Sequence, residues 1–244
     1  MVQKLDQIHE GKAKKVFATD DAGAIIHQFK DDATAFDGKK KGQISGKGSV
    51  NAQISAALFQ LLENEGVRTH YRELLDERNL LTDRLDMLMV EVVVRNVAAG
   101  SLAKRIGYEE GTPLKKTIVE FYYKRDDLGD PIINEDHIEE LGIATKAQVE
   151  EMRSAALTIN KTLKRFFGEL GLTLIDYKLE FGAKDGLLYL GDEISPDTCR
   201  LWDKETGEKM DKDRFRRDLG KVEEAYQEVL ARVQGTTSKE GGNW

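Results

Sequence analysis

The chain has 244 residues, 40% of them hydrophobic and 33% charged, and 37 Lys and Arg against 44 Asp and Glu leave a net charge of −7. That composition excludes collagen-like, coiled-coil and wholly disordered chains, and at this length one large core or two smaller lobes is expected. The acidic balance argues against nucleic acid as a partner, because a phosphate-backbone footprint needs a basic face, whereas small anions remain open wherever Lys and Arg cluster.

In chain order, short strands are predicted at 5–10, 14–19 and 24–29, separated by Gly11 and by the turn signal Asp20-Asp21-Ala22-Gly23. Val50, Ile54, Leu58, Leu61 and Leu62 keep helical spacing up to Gly66, a C-terminal capping glycine. Strands follow at 71–75, 80–85 and 89–95, the last built on Val90-Glu91-Val92-Val93-Val94. A second lobe starts there, with a short helix at 101–106 and a strand at 117–124. Thr145 and Gln148 form a capping box, and Val149, Met152, Ala156, Ile159, Leu163 and Phe166 carry one apolar face toward Gly168 or Gly171. Two strands, 172–182 and 187–193, lead to the loop Ser195-Pro196-Asp197-Thr198-Cys199-Arg200. One last helix runs through Phe215, Leu219, Val222, Tyr226, Val229 and Val233, and residues 236–244 are expected to be a disordered tail.

The single cysteine, Cys199, permits no internal disulfide, and there is neither a signal-type N-terminus nor an apolar run of ~18 residues. A cytoplasmic protein with no membrane partner is expected. The four histidines show no metal-ligand spacing, and Cys199 has no partner base.

Chemistry concentrates on strand 172–182, where alternation puts Asp176, Lys178 and Glu180 on one face and Ile175, Tyr177, Leu179 and Phe181 on the other. Taken alone, this is equally a solvated row of mutually stabilising charges. The hairpin partner decides: if Lys184-Asp185-Gly186 is a three-residue loop, Asp192 falls opposite Lys178 and diagonal to Glu180, and two carboxylates converge as Mg²⁺ requires; a two-residue turn sends Asp192 to the other face. Lysines in Gly11-Lys12-Ala13-Lys14-Lys15, at a strand turn, suit a polyphosphate, or make a basic hairpin tip. The glycine-rich 42–48 is no P-loop and is expected to be a mobile lid. Arg95 shares a face with Glu91, and Ser101 opens the next helix, a pattern for a monophosphate or for a salt-bridged cap.

Together these pieces resemble the SAICAR synthetase family of purine biosynthesis. The resemblance rests on Gly11-Lys12-Ala13-Lys14, Lys47-Gly48 with Asn51, residues 90–96, Ala98-Ala99-Gly100-Ser101-Leu102, residues 176–182, residues 191–197 and Arg200-Leu201-Trp202-Asp203. It implies an α+β fold of two lobes, residues 1–88 forming a kinase-like antiparallel nucleotide-binding lobe and residues 89–235 an α+β lobe with the metal and substrate sites, in a homodimer. It implies ligation of L-aspartate to carboxyaminoimidazole ribonucleotide (CAIR) with ATP and Mg²⁺. On this reading Lys12, Ala13, Lys14, Met87 and Lys124 bind ATP, Glu180 and Asp192 the metal, and Arg95, Ser101, Arg200 and Asp197 the ribonucleotide, while Asp176 and Lys178 face the reacting groups. Met89 and Thr198-Cys199 depart from the family pattern without touching the charged set. A small-molecule kinase is the alternative reading, lowered by the lack of His-Arg-Asp and Asp-Phe-Gly motifs.

Overall fold

The computed structural model describes residues 2–35 and 38–237. The chain opens with β1 (Lys4–Glu10), β2 (Lys14–Thr19) and β3 (Ala24–Phe29), followed by a small hairpin, β4 (Asp32–Ala35) and β5 (Lys40–Gln43). Helix α1 (Lys47–Asn64) precedes β6 (Tyr71–Leu74) and β7 (Asn79–Asp83), and the first sheet is antiparallel in the order β1-β2-β3-β7-β6.

The 42–48 stretch is structured, contrary to the lid expectation: Gly42 and Gln43 end β5, and Lys47 and Gly48 begin α1. Asp31 caps that helix from outside, accepting from the amides of Gly46 (3.3 Å) and Gly48 (2.8 Å). A Cβ on Gly48 would lie 2.7 Å from the carbonyl of Phe29, so close approach to β3, not mobility, explains this glycine.

The second sheet begins with β8 (Asp86–Val97), which crosses the proposed lobe boundary at residue 88. Then come α2 (Gly100–Ile106), β9 (Pro113–Tyr123), β10 (Ile132–Ile133), α3 (Glu135–Glu140), α4 (Lys146–Glu169), β11 (Leu172–Lys184), β12 (Leu187–Gly191), β13 (Cys199–Asp203), α5 (Asp213–Arg216) and α6 (Val222–Thr237). The order is β10-β9-β8-β11-β12, with β13 also on β11. Thr145 caps α4 through the expected box with Gln148. The single C-terminal helix expected from Phe215 onward is instead two, because Asp218, Gly220 and Lys221 all take positive φ between α5 and α6. Helix α6 also continues two residues into the expected tail, and residues 238–244 lie outside the described residues.

The largest apolar core lies between the helices and the second sheet, while Phe29 and Leu80 of the first sheet pack on Ala52 and Ala56 of α1 in a separate cluster. Val50, Ile54, Leu58 and Leu62 of α1 pack with Val90, Val92 and Val94 of β8, Tyr177, Leu179 and Phe181 of β11, and Val229 and Val233 of α6. The back of β11 is thereby buried as its alternation requires, and its front is left to form the floor of a cleft.

Candidate active site

Cross-strand pairing arranges the floor as a grid. One row runs Ile118, Arg95, Asp176, Arg200; the next Glu120, Val93, Lys178; the third Tyr122, Glu91, Glu180, Gly191. Asp176, Lys178 and Glu180 share the face expected of them. Asp176 and Glu180 are not solvated, however: only 4% and 3% of each is exposed, and each is ion-paired.

The hairpin register expected for Asp192 does not form. Glu180 pairs with Gly191 and Lys184 with Leu187, so Asp185 and Gly186, at φ 51° and 77°, make a two-residue turn of the primed type. In that register residue 192 would point toward the apolar back. Asp192 escapes because β12 ends at Gly191 and Asp192 takes φ 59°, a left-handed backbone that re-aims its carboxylate to the front. The seam of the sheet opens at the same point. Along one edge of β11, β13 covers 172–177 and β12 covers 180–184, and loop 192–198 leaves between them, with the Lys178 amide donating to the Thr198 carbonyl (2.9 Å).

Three ammonium groups meet two carboxylates here. Asp192 pairs with Lys14 and lies 3.4 Å from Lys178; Glu180 pairs with Lys178 and Lys124. Lys178 also donates to Glu91 at 3.0 Å, and Lys14 lies 3.4 Å from Glu193. Burial works against the charge on Lys14, but Asp192 and Glu193 outweigh it and push its pKa up to about 12. Burial likewise opposes ionisation of Asp192, and Lys14 and Lys178 nevertheless hold it well below the carboxylate range. Lys178 stays well above the usual lysine range despite burial, through Glu180, Asp192 and Glu91. Burial raises the Glu91 carboxyl against the pull of Lys178.

Lys12, at the β1–β2 turn, instead reaches Asp126 beyond the end of β9 at 2.8 Å, and both are largely exposed. Ala13 gives its carbonyl to the Lys30 amide (2.8 Å), and the sulfur of Met87, more than a third exposed, lies against Gly182 and Gly191.

At the other end of the floor Arg95 donates to Asp176 (2.8 Å), Glu120 (2.7 Å), the Tyr122 hydroxyl (3.0 Å) and the Ser101 hydroxyl (3.3 Å). Arg200 donates from Nη1 to Asp176 (2.9 Å) and from Nε to Asp213 (3.0 Å). Burial opposes the charge of both arginines, but Asp176 together with Glu120 at Arg95 and with Asp213 at Arg200 outweighs it, so both pKa values rise. Asp176 thus ties the two arginines together. Glu120 and Tyr122 were missed in the sequence, although alternation through Lys124 on the 117–124 strand puts them on one face. Glu91 was noted only as a neighbour of Arg95, and Asp213 carried no local signal.

Asp197 sits apart from both ends, in a buried network. It accepts from Lys47 (2.9 Å), Lys212 (3.2 Å) and the Tyr226 hydroxyl (2.7 Å). Burial disfavours its charge, yet Lys212 and Lys47 hold the carboxyl far below its ordinary range. Cys199 is buried, and burial raises its thiol, which does not suit a nucleophile. Among the described residues no three His, Cys, Asp or Glu groups gather as a complete metal cage. Two converging carboxylates are nonetheless what Mg²⁺ takes from a protein when phosphate oxygens and water complete its octahedron.

Comparison with known proteins gives these two charged ends a context. The SAICAR synthetase family profile matches residues 7–233. A phosphoribosylaminoimidazole-succinocarboxamide synthase of Clostridium botulinum is 55% identical over 232 residues, covering 95% of this chain and 99% of that one. The crystal structure of the same-named synthase from Ehrlichia chaffeensis superposes with a TM-score of 0.92 at 44% identity, covering 94% and 98% of the two chains. A SAICAR synthetase solved in complex with ADP gives 0.90 at 49% identity, over 93% and 97%. With the fold and nearly the whole length in common, this chain belongs to the SAICAR synthetase family.

Proposed function

We infer that this chain carries its family's reaction, the ATP-dependent ligation of L-aspartate to CAIR, giving SAICAR, ADP and phosphate in purine biosynthesis. The observation that carries the reading in detail is the pairing of two charged ends on one sheet face, a lysine and carboxylate end around Glu180 and Asp192 and an arginine end around Asp176, with Lys178 in the row between.

Amide formation must expel an oxygen that leaves poorly. The CAIR carboxylate therefore attacks the γ-phosphorus of ATP, the bond to the ADP oxygen breaks, and an acyl phosphate forms. The aspartate amine then adds to the acyl carbon, phosphate departs with the C–O bond electrons, and the amine proton passes to solvent or a nearby base. Lys12, Lys14 and the Ala13 backbone are assigned to the ATP phosphates, and Met87 and Lys124 to the flanks of the nucleotide. Glu180 and Asp192 would hold Mg²⁺, whose role when bound is to neutralise charge on the phosphate oxygens. Their fit is supported by hard oxygen donors brought to one side of the floor and already bridged by a cation, Lys178.

Arg95, Ser101 and Arg200 are assigned to the ribonucleotide phosphate, Asp197 to the same substrate through the 192–198 loop, and Asp176 and Lys178 to the reacting carboxylate or imidazole. Anchoring the ribonucleotide at its far end aims its carboxylate, a positioning effect that supplies several kcal/mol. We also place the chain in the cytoplasm, supported by its one buried cysteine, and as a homodimer, which light scattering would test; among the described residues no helix is long and apolar enough to cross a membrane.

ADP release tests the reaction. It should require CAIR and aspartate together for multiple turnovers. Full turnover with CAIR alone would make the protein a kinase and overturn the ligase reading.

A further inference from the structure

Lys178 is shared by three carboxylates, at 3.0 Å from Glu91, 3.4 Å from Asp192 and in closest contact with Glu180. The three are not equivalent. Glu180 and Asp192 each keep a second ammonium, Lys124 and Lys14 respectively, whereas Lys178 is the hydrogen-bond and ion-pair partner of Glu91 among the described residues. Glu91 stands directly across from Glu180 in the pairing of β8 with β11, so it is the next carboxylate along the row. The Lys178 ammonium therefore bridges the same two carboxylates that the proposed reading gives to the metal, with a third carboxylate beside them that the metal does not use.

We propose that Glu91 is a positioning residue that retains Lys178 when a divalent cation takes Glu180 and Asp192 from it, so that metal loading and the placement of Lys178 are one event. This rests on the assignment of Glu180 and Asp192 as the metal carboxylates. A dication and an ammonium cannot both occupy the space between two carboxylates that already share one ammonium, since their mutual repulsion there is several times RT. The metal displaces the ammonium, and a displaced ammonium in this half-buried floor needs a counter-charge, because an unpaired charge out of water is costly. Glu91 supplies it without backbone movement, since the contact already exists. Removing Lys178 takes away a competitor of the metal, and removing Glu91 takes away the refuge of that competitor. Glu91 acts through Lys178, so its effect disappears when Lys178 is gone.

The test is calorimetric titration of Mg²⁺ into the enzyme saturated with ADP, for the wild type, Lys178→Met, Glu91→Gln and the double variant, with unfolding midpoints recorded for each. Lys178→Met should bind Mg²⁺ about tenfold tighter and Glu91→Gln several-fold weaker, as a nearby unit charge at an effective dielectric of about 20 permits. In the Lys178→Met background, Glu91→Gln should change affinity less than about twofold, the non-additivity expected of residues acting as a unit. If Glu91→Gln weakens Mg²⁺ equally in both backgrounds, or Lys178→Met weakens it, the proposal fails. Should Glu91→Gln not fold, Glu91→Asp replaces it in the cycle and should give a smaller weakening with the same non-additivity. Glu180→Gln separates the two levels. Loss of Mg²⁺ affinity in that variant keeps the metal assignment whatever the cycle shows, and unchanged affinity overturns the assignment itself.

Discussion

Arg200 reaches Asp176 through Nη1 at 2.9 Å and Asp213 through Nε at 3.0 Å, so its guanidinium plane is fixed from two sides before any substrate arrives. A planar fork held in this way suits a phosphate, and a lysine keeps the charge while losing the second donor and the fixed plane. Arg200→Lys is therefore expected to raise the KM for CAIR at least tenfold while changing the KM for ATP less than about twofold. Steady-state kinetics with each substrate varied in turn checks this, and equal effects on the two would remove Arg200 from the ribonucleotide. Asp176, buried beneath both arginines, gives the complementary lesson: its carboxylate is fully used in holding Arg95 and Arg200, so it serves the anion end first by geometry.

The hairpin of β11 and β12 shows at the scale of an element how a single residue sets register. With φ near 77° at Gly186, an alanine there must adopt a left-handed backbone, which costs about 1 kcal/mol. Gly186→Ala should lower the melting temperature by roughly 2–4 °C, the scale for a chain of this size, and leave both KM values unchanged; scanning calorimetry alongside kinetics checks it. The sequence Lys184-Asp185-Gly186 satisfies a three-residue loop and an Asp-Gly two-residue turn alike, so register was not legible there. Nor was the outcome for Asp192, because alternation describes side chains within a strand and Asp192 lies one residue beyond its end. What was legible had a strong local cause. The bounds of β2 and β3 follow from the flanking turns, the start of α4 from its Thr145 and Gln148 box, and the charged face of β11 from its apolar back. Apolar spacing through Phe215, Leu219 and Val222 hid the break between α5 and α6, since periodicity gives no weight to the positive φ of Gly220 and Lys221. The glycines of 42–48 were read as mobility when one of them serves close packing, a distinction that only the neighbouring strand supplies.

Across the whole molecule, Asp197 ties α1, through Lys47, to α6, through Tyr226, and to Lys212 ahead of α5. Asp197→Asn leaves the buried Lys47 ammonium and the partly buried Lys212 ammonium without their counter-charge and should cost about 3–5 kcal/mol at pH 7 by denaturant unfolding. The folded carboxyl is depressed below its ordinary 3.8, so its contribution is complete above that value and drains away as pH falls through and below it. The gap between wild type and Asp197→Asn should accordingly narrow below pH 4, by about 1 kcal/mol at pH 3. A gap that stays constant down to pH 3 would contradict the assignment.

The same tie bears on how the protein is made. Helix α1 belongs to the first third of the polypeptide, yet the apolar side that carries Val50, Ile54 and Leu58 shares its core with Val229 and Val233 near the far end. At ribosomal rates of ~5–20 residues per second, α6 follows α1 out of the exit tunnel only after a delay on the order of ten seconds or more. Until then Val50, Ile54 and Leu58 lack the part of their core that α6 supplies, and Lys47 has no counter-charge until Asp197 has been made. Full covering of the apolar side of α1 therefore waits for α6, long after α1 itself has been made.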